Sequence, residues 1–336
     1  MTSPFKSYRA SIAVLTMRGD AREESYYPAL QNLLETLAPT AGKTVQVTVL
    51  PKTTDAGNPD FRVWDGSHQV IGYIEAKAPD AKLDQVEASE QLQRYRRTFP
   101  NLILTDFYEF RLYRDGMEFK RADAGQVREL TQLFETFFSF ALPPSSTAED
   151  LARALARRTR FLRDDVIRPE LAEQVKQKRG ALYGFYKAFQ KRLIAGLTEA
   201  QFADLYAQTI TYGLFAARTR TKEKDSFNRE LAYCLIPSTI GILRNVFKYI
   251  SIDDPSPQMV TIVDDIAAVL NAADVQAILT QYYQQGRGDD PILHFYETFL
   301  AEYDPETREQ RGVYYTPQPV VRYIVRAVHD LLKTRF

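Results

Sequence analysis

Asp60, Glu75 and Lys77 are the residues whose types and spacing carry the most chemistry. Asn58-Pro59-Asp60-Phe61 is followed by a turn signal at Asp65-Gly66 and then by Gly72-Tyr73-Ile74-Glu75-Ala76-Lys77. Side chains on a strand alternate with period two, so Glu75 and Lys77 project from one face while Ile74 and Ala76 point to the other. A hairpin through Asp65-Gly66 returns Asp60 beside Glu75. Two carboxylates and an ammonium at one sheet edge suit Mg2+, a hard cation that takes oxygen ligands and keeps several waters. Asp60 and Glu75 are the candidate ligands, with the carbonyl of Ala76 as a third. Lys77 is placed to orient or help deprotonate an attacking water, while the cation stabilises charge building on a phosphodiester during in-line displacement. A plainer reading has Asp60 capping the turn after Pro59, with Glu75 and Lys77 at a solvated strand end. The catalytic reading expects Asp60 and Lys77 to stand exposed at a polar site.

The elements that must position these residues are legible as periodicity. VQVTVL, DFRVW, QVIGYIEAK, LILTD and FRLYR, between Val45 and Arg114, are short runs rich in Val, Ile, Tyr and Phe, punctuated by Gly57-Asn58-Pro59, Asp65-Gly66 and Asp115-Gly116. They predict five strands of a mixed sheet. Tyr27, Leu30, Leu33, Leu34 and Leu37 predict a helix before them, and Leu83, Val86, Leu92 and Tyr95 predict helix between the third and fourth. Gln91 and Tyr95 are i, i+4 neighbours, so one helix face can aim both at the sheet. The breaker cluster Leu142-Pro143-Pro144-Ser145-Ser146-Thr147 marks a domain boundary, with Thr147 placed to start a helix. From Ala148 to about Tyr303 the pattern is helical, as in Leu151–Phe161, Leu171–Leu193, Phe202–Ala217, Leu231–Tyr249 and Ile262–Tyr282. Arg153, Arg157, Arg158 and Arg160 collect early in this half, as a solvated face or as contacts to DNA phosphates.

Composition bounds the possibilities. The 336 residues carry 43 Lys+Arg against 43 Asp+Glu, so bulk charge excludes a uniformly basic nucleic-acid coat and leaves room for a local basic groove. A single cysteine and three scattered histidines exclude a disulfide framework and a Cys/His zinc site. No apolar run is long enough to span a membrane and the N-terminus lacks a signal-peptide pattern, so a soluble cytoplasmic protein with no membrane partner is expected.

Taken together, these residues resemble the PD-(D/E)xK nucleases. Asp60, Glu75 and Lys77 stand on the defining positions, and Gln91 to Tyr95 matches the Q-x-x-x-Y element of some branches. Glu23-Glu24-Ser25-Tyr26-Tyr27-Pro28-Ala29-Leu30 is similar to the first helix of that fold in restriction enzymes, which often supplies another acid to the metal site; aligned on Tyr26 and Pro28, that acid is Glu23. Asp20-Ala21-Arg22-Glu23 is also a capping-box pattern, so Glu23 has the alternative of satisfying a backbone N–H.

Near the far end, Thr316 as N-cap with Pro317 behind it makes a good helix start. With Phe295-Tyr296-Glu297-Thr298-Phe299-Leu300 and Tyr303-Asp304-Pro305 upstream, Arg311-Gly312-Val313-Tyr314-Tyr315-Thr316-Pro317 resembles the start of N6-adenine DNA methyltransferase domains. There a Y-T-P element precedes a helix lining the S-adenosylmethionine pocket, which makes Tyr315, Thr316 and Pro317 cofactor-binding candidates. A glycine-rich strand-to-helix turn and an Asn/Asp-Pro-Pro-Tyr element are missing; Gly286-Arg287-Gly288 reads as a loop. Cofactor use is therefore expected only of a full-length enzyme.

The whole order resembles the N-terminal part of type IIG single-polypeptide restriction-modification enzymes. The fold class implied is α/β, a nuclease-like mixed sheet flanked by helices and followed by an all-α domain. Its domains are a nuclease at residues 1–144, a helical connector at 145–310 and the start of a methyltransferase at 311–336. The function implied is Mg2+-dependent hydrolysis of double-stranded DNA, with transient dimerisation or sequential nicking to cut both strands. The alternative is a non-catalytic DNA-binding or coupling module linking a methyltransferase to its partners.

Overall fold

The computed structural model describes residues 4–49, 59–65, 70–141, 147–221, 227–237, 241–284, 291–305 and 318–335. Six strands form one mixed sheet in chain order: β1 (Gln46–Val49), β2 (Phe61–Trp64), β3 (Val70–Ala76), β4 (Asn101–Thr105), β5 (Glu109–Arg114) and β6 (Met117–Asp123). All neighbours pair antiparallel except β3 and β4. A parallel pair needs a crossover, and this one holds α3 (Leu83–Glu87) and α4 (Glu90–Thr98). Ser89 separates the two helices, its hydroxyl accepting from the Leu92 amide to cap α4.

The strand β6 is one more than the periodicity predicts. The Asp115-Gly116 signal before it does form a tight turn, with φ of 47° and 83°, the left-handed pair that a two-residue hairpin favours. The strand itself is mostly exposed, so it carries little of the apolar alternation that reveals a strand. Helix α1 (Pro4–Arg18) is likewise an addition.

The sheet is covered on both faces. On one, Leu30, Leu33, Leu34 and Leu37 of α2 (Tyr27–Leu37) and Phe134 and Phe137 of α5 (Val127–Phe138) pack on Phe61, Ile74, Ile103 and Leu112. On the other, Tyr73, Leu102, Leu104 and Tyr113 share a cluster with α4 and the helical half of the chain. At Gly72 of β3 an added Cβ would lie 2.6 Å from the carbonyl oxygen of Asn101 and 2.7 Å from Phe137, so only glycine admits the close approach of β4 and α5.

Beyond β6 no strand occurs among the described residues. After α5 come α6 (Ala148–Phe161), α7 (Arg168–Gln177), α8 (Ala181–Arg192), α9 (Glu199–Arg218), α10 (Arg229–Leu235), α11 (Gly241–Ser251), α12 (Pro257–Ala272), α13 (Val275–Gln284), α14 (Pro291–Tyr303) and α15 (Gln318–Arg335). Thr147 caps α6, accepting from the Asp150 amide, and a π-helical turn, Leu162–Ile167, leads into α7. Three apolar runs expected as single helices are each broken. Lys178 and Gly180 take positive φ between α7 and α8, Ile236 is extended before Pro237 after α10, and Ala273 is extended between α12 and α13. Helix α15 exposes Val320, Tyr323, Ile324, Val325, Val328, Leu331 and Leu332. No described helix is long and apolar enough to cross a membrane.

The four arginines of α6 do not form one basic face. Leu151, Leu155, Arg158 and Leu162 follow the i+4, i+3, i+4 spacing of a buried stripe, and Arg158 is buried on it with its Nε 2.6 Å from Asp265 of α12. That removes Arg158 from the expected phosphate contacts. Arg153 pairs with Asp150 and Glu302, while Arg160 donates to the carbonyls of Glu302 and Tyr303 at the end of α14.

Arg158→Ala, which strands Asp265 in the core, should cost about 3–5 kcal/mol in urea unfolding, whereas Arg158→Met with Asp265→Leu should cost far less. A single variant no less stable than the double one would show that the pair contributes nothing.

Candidate active site

The β2–β3 ladder sets the site. Phe61 faces Ile74 in the antiparallel register, and the same register carried one step further sets Asp60 opposite Glu75. Asp60 is fully buried, and its Oδ2 accepts the Ala76 amide at 2.7 Å. Its Oδ1 accepts the Tyr27 hydroxyl, also at 2.7 Å. The Tyr27 oxygen lies 3.0 Å from Glu23 Oε1 as well. A hydroxyl has one proton, so Tyr27 stands between two carboxylates and donates to one at a time. Burial, reinforced by Asp60 and Glu23, holds the Tyr27 hydroxyl firmly protonated. Glu23 is placed by a 3-10 turn, Glu23–Tyr26, whose N-cap amide is taken by the Ser25 hydroxyl. Glu23 and Tyr27 are i, i+4 neighbours on the rising helix.

From the other side of the sheet come Gln91 and Tyr95. Gln91 Nε2 lies 2.9 Å from the Tyr95 hydroxyl, to which it donates. Burial, then the charges of Glu75 and Asp60, keep that hydroxyl protonated. Both carboxylates therefore act on a single phenol. Glu75 pairs with the Lys77 ammonium, and the Lys77 amide donates to Thr105 of β4 at 2.8 Å.

The exposure expected of this site is not what the fold provides. Asp60 and Glu75 are 0% and 1% exposed, because the sheet carrying them is covered on both faces; the Lys77 side chain keeps 21%. Tyr27 is the site residue that sequence reasoning missed, although its i+4 spacing from Glu23 was a usable signal. Among the described residues no group of three or more His, Cys, Asp or Glu could hold a metal ion. The oxygen donors at hand are Asp60, Glu75 and the carbonyl of Ala76. Tyr315, Thr316 and Pro317 lie outside the described residues.

Helix α4 is itself pinned from outside the sheet. Arg96 reaches Glu87 and the Gly116 carbonyl, and Arg94 Nε lies 2.6 Å from Asp165 in the π-helical turn. Burial pushes the Asp165 carboxyl up to about 6, with Arg94 opposing and Asp164 adding to the rise.

Two outcomes follow. Tyr27→Phe removes a donor from buried Asp60 and should cost about 1–3 kcal/mol in chemical unfolding; a neutral substitution would mean that the hydroxyl does not hold Asp60. The Asp165 pKa lies above its ordinary 3.8, so between about pH 4 and about pH 6 the folded chain keeps a proton that the unfolded chain has lost. Stability should fall as pH rises through that window and level off above it. In Asp165→Asn that fall should disappear, and parallel profiles for the two proteins would remove Asp165 as its source.

Comparison with known proteins finds one family and a partial structural likeness. Residues 287–335 match the family described as N-6 DNA Methylase, a match that begins ahead of residue 311 and includes α14 and α15. No curated protein sequence matches the chain. Among solved structures, a chain of the "cryoEM structure DrdV-DNA complex" is 24% identical with a TM-score of 0.36, covering 99% of this chain and 32% of that one. This chain thus spans about a third of the length of the solved chain it matches.

Proposed function

We propose that residues 1–144 form a Mg2+-dependent PD-(D/E)xK nuclease domain that hydrolyses phosphodiester bonds in double-stranded DNA. Residues 145–310 are its helical connector, and the segment from 311 begins an N6-adenine methyltransferase domain, as in a type IIG restriction-modification enzyme. The observation that carries this reading is the convergence of Glu23, Asp60, Glu75, Lys77, Gln91 and Tyr95 at the end of β3, from segments on both sides of the sheet. The family match over residues 287–335 supports the methyltransferase part and S-adenosylmethionine as its methyl donor. The exposed apolar residues of α15 suit burial against the rest of such a domain.

Two carboxylates and a backbone carbonyl are an ordinary protein share for Mg2+, which fills its shell with water. When bound, the cation would neutralise charge developing on the scissile phosphate. The Ala76 amide and the Tyr27 hydroxyl orient Asp60 through one hydrogen bond to each oxygen. Lys77, the most accessible of the three motif residues, orients the attacking water and helps remove its proton. Gln91 orients the Tyr95 phenol, on which the charges of Glu75 and Asp60 act from the far side. A non-catalytic coupling module is the second reading, favoured by one observation: protein donors take both oxygens of buried Asp60.

Full-length protein on DNA carrying its site, with Mg2+ titrated, separates the two. Lys77→Ala should keep Mg2+ affinity in calorimetry and lose cleavage by about 10²–10⁴-fold. Asp60→Asn, chosen because Asp60 is buried, should lose both. Methyl transfer from S-adenosylmethionine should survive in each. Wild-type cutting by either folded variant would leave the coupling reading.

A further inference from the structure

A cleft outside the carboxylate site lies between α4 and α6. Its volume is about 470 Å³, and five arginines line it, Arg94, Arg96, Arg97, Arg157 and Arg160, against three aspartates. Most of those charges are already matched. Arg94 sits on Asp165, Arg96 on Glu87, and Asp164 is held by Arg163 at 2.7 Å and Arg168 at 3.1 Å. Arg97, Arg157 and Arg160 have no carboxylate partner among the described residues. Arg160 is locked by two backbone carbonyls, at 2.7 and 3.0 Å, which orient its guanidinium without neutralising it. Burial and the nearby Arg163 and Arg157 charges work against its protonated form, and Tyr303 and Glu302 only partly oppose them. An anion in the cleft would relieve that repulsion.

The position of the cleft narrows the choice of anion. Arg97 is on the same helix as Gln91 and Tyr95, two to six residues further along, a rise of about 3–9 Å. Phe161, which lines the cleft, lies 6.2 Å ring to ring from Tyr95, on whose phenol the carboxylates act, so the cleft adjoins the carboxylate site across that ring pair. Guanidinium groups held in place suit phosphate through two parallel N–H bonds.

We propose that the α4–α6 cleft is a phosphate subsite in which Arg97, Arg157 and Arg160 bind the backbone of a DNA duplex running on from the carboxylate site. The inference rests on the nuclease reading for the identity of the polyanion. It divides the arginines of α6, giving Arg157 and Arg160 to the backbone and leaving Arg153 to its carboxylates.

The test is fluorescence anisotropy of the full chain with a short labelled duplex of mixed sequence, in EDTA, over a series of KCl concentrations. Arg97→Gln with Arg157→Gln should weaken binding at low salt and make the log–log salt slope shallower by about 2, since each lost phosphate contact contributes about 0.9. Arg153→Gln with Lys176→Gln removes two charges already paired with Asp150, Glu302 and Glu173, and should leave the slope near wild type. Arg97→Gln alone, at an exposed position, is the variant to use if the double one does not fold; it should shift the slope by about 1. An unchanged slope in the cleft variants overturns the proposal, as does an equal change in the control pair. Displacement of the duplex by tripolyphosphate with wild-type potency against the cleft variants overturns it too. Binding through these arginines, with full-length protein that never cuts DNA carrying its site in Mg2+, refutes the nuclease reading and leaves the subsite standing. Normal cutting with dispensable arginines refutes the subsite alone.

Discussion

A strand covered on both faces has no solvent-facing side chain, and β3 is such a strand: each of its seven residues is buried. Charged groups on it can survive only near its end, where the ladder runs out and donors from other elements can reach them. The Ala76 amide is taken by Asp60, and the next amide, Lys77, by Thr105 of β4. A carboxylate left in this setting without donors would be unstable by several kcal/mol. The hydrogen bonds and ion pair around Asp60 and Glu75 are therefore conditions for the sheet to exist as well as the makings of a site.

Those conditions are met from two layers at once. The first layer supplies Glu23 and Tyr27, and its packing is aromatic: Tyr27 lies 4.7 Å from Phe61, and Tyr26 stacks on Phe107 at 5.1 Å. Phe107 holds a φ of 72°, a conformation that a bulky residue adopts only when its surroundings impose it. The Tyr8 hydroxyl donating to the Phe107 carbonyl and the ring stacking supply that constraint. The second layer is α4, wedged between the sheet and α6, with Phe99 against Tyr73 at 4.2 Å and against Phe161 at 5.4 Å.

The sheet face bearing Tyr73, Leu102 and Leu104 shares a hydrophobic cluster with the helical half, and Arg62 of β2 lies 3.6 Å from Asp264 of α12. The helix carrying Gln91 and Tyr95 is thus seated partly on the helical half, through Arg94–Asp165 and, just past its end, Phe99–Phe161. Helix α6 in turn is fastened to the end of α14 by Arg153 and Arg160. Since α14 lies inside the segment that matches N-6 DNA Methylase, a continuous path of packed groups runs from that segment to the carboxylates.

By itself the sequence determined the local and the periodic. Alternation gave five strands, 3.6-residue spacing gave the buried stripe of α2, Thr147 announced the start of α6, and the D, E, K and Q-x-x-x-Y spacings named residues that meet. These properties depend on neighbours in the chain, so they are written in the chain. What the tertiary structure decided depends on neighbours in space. Strand β6 is mostly exposed and so carries little apolar alternation in its sequence, and three long apolar runs contain breaks that residues in left-handed or extended conformations introduce. Tyr27 became a site residue only because the β2–β3 ladder brought Asp60 to within a hydrogen bond of it. The arginines of α6 look alike in sequence; burial against Asp265, capture by the α14 carbonyls or proximity to α4 gave each a different electrostatic setting, since a charge is defined by what surrounds it after folding.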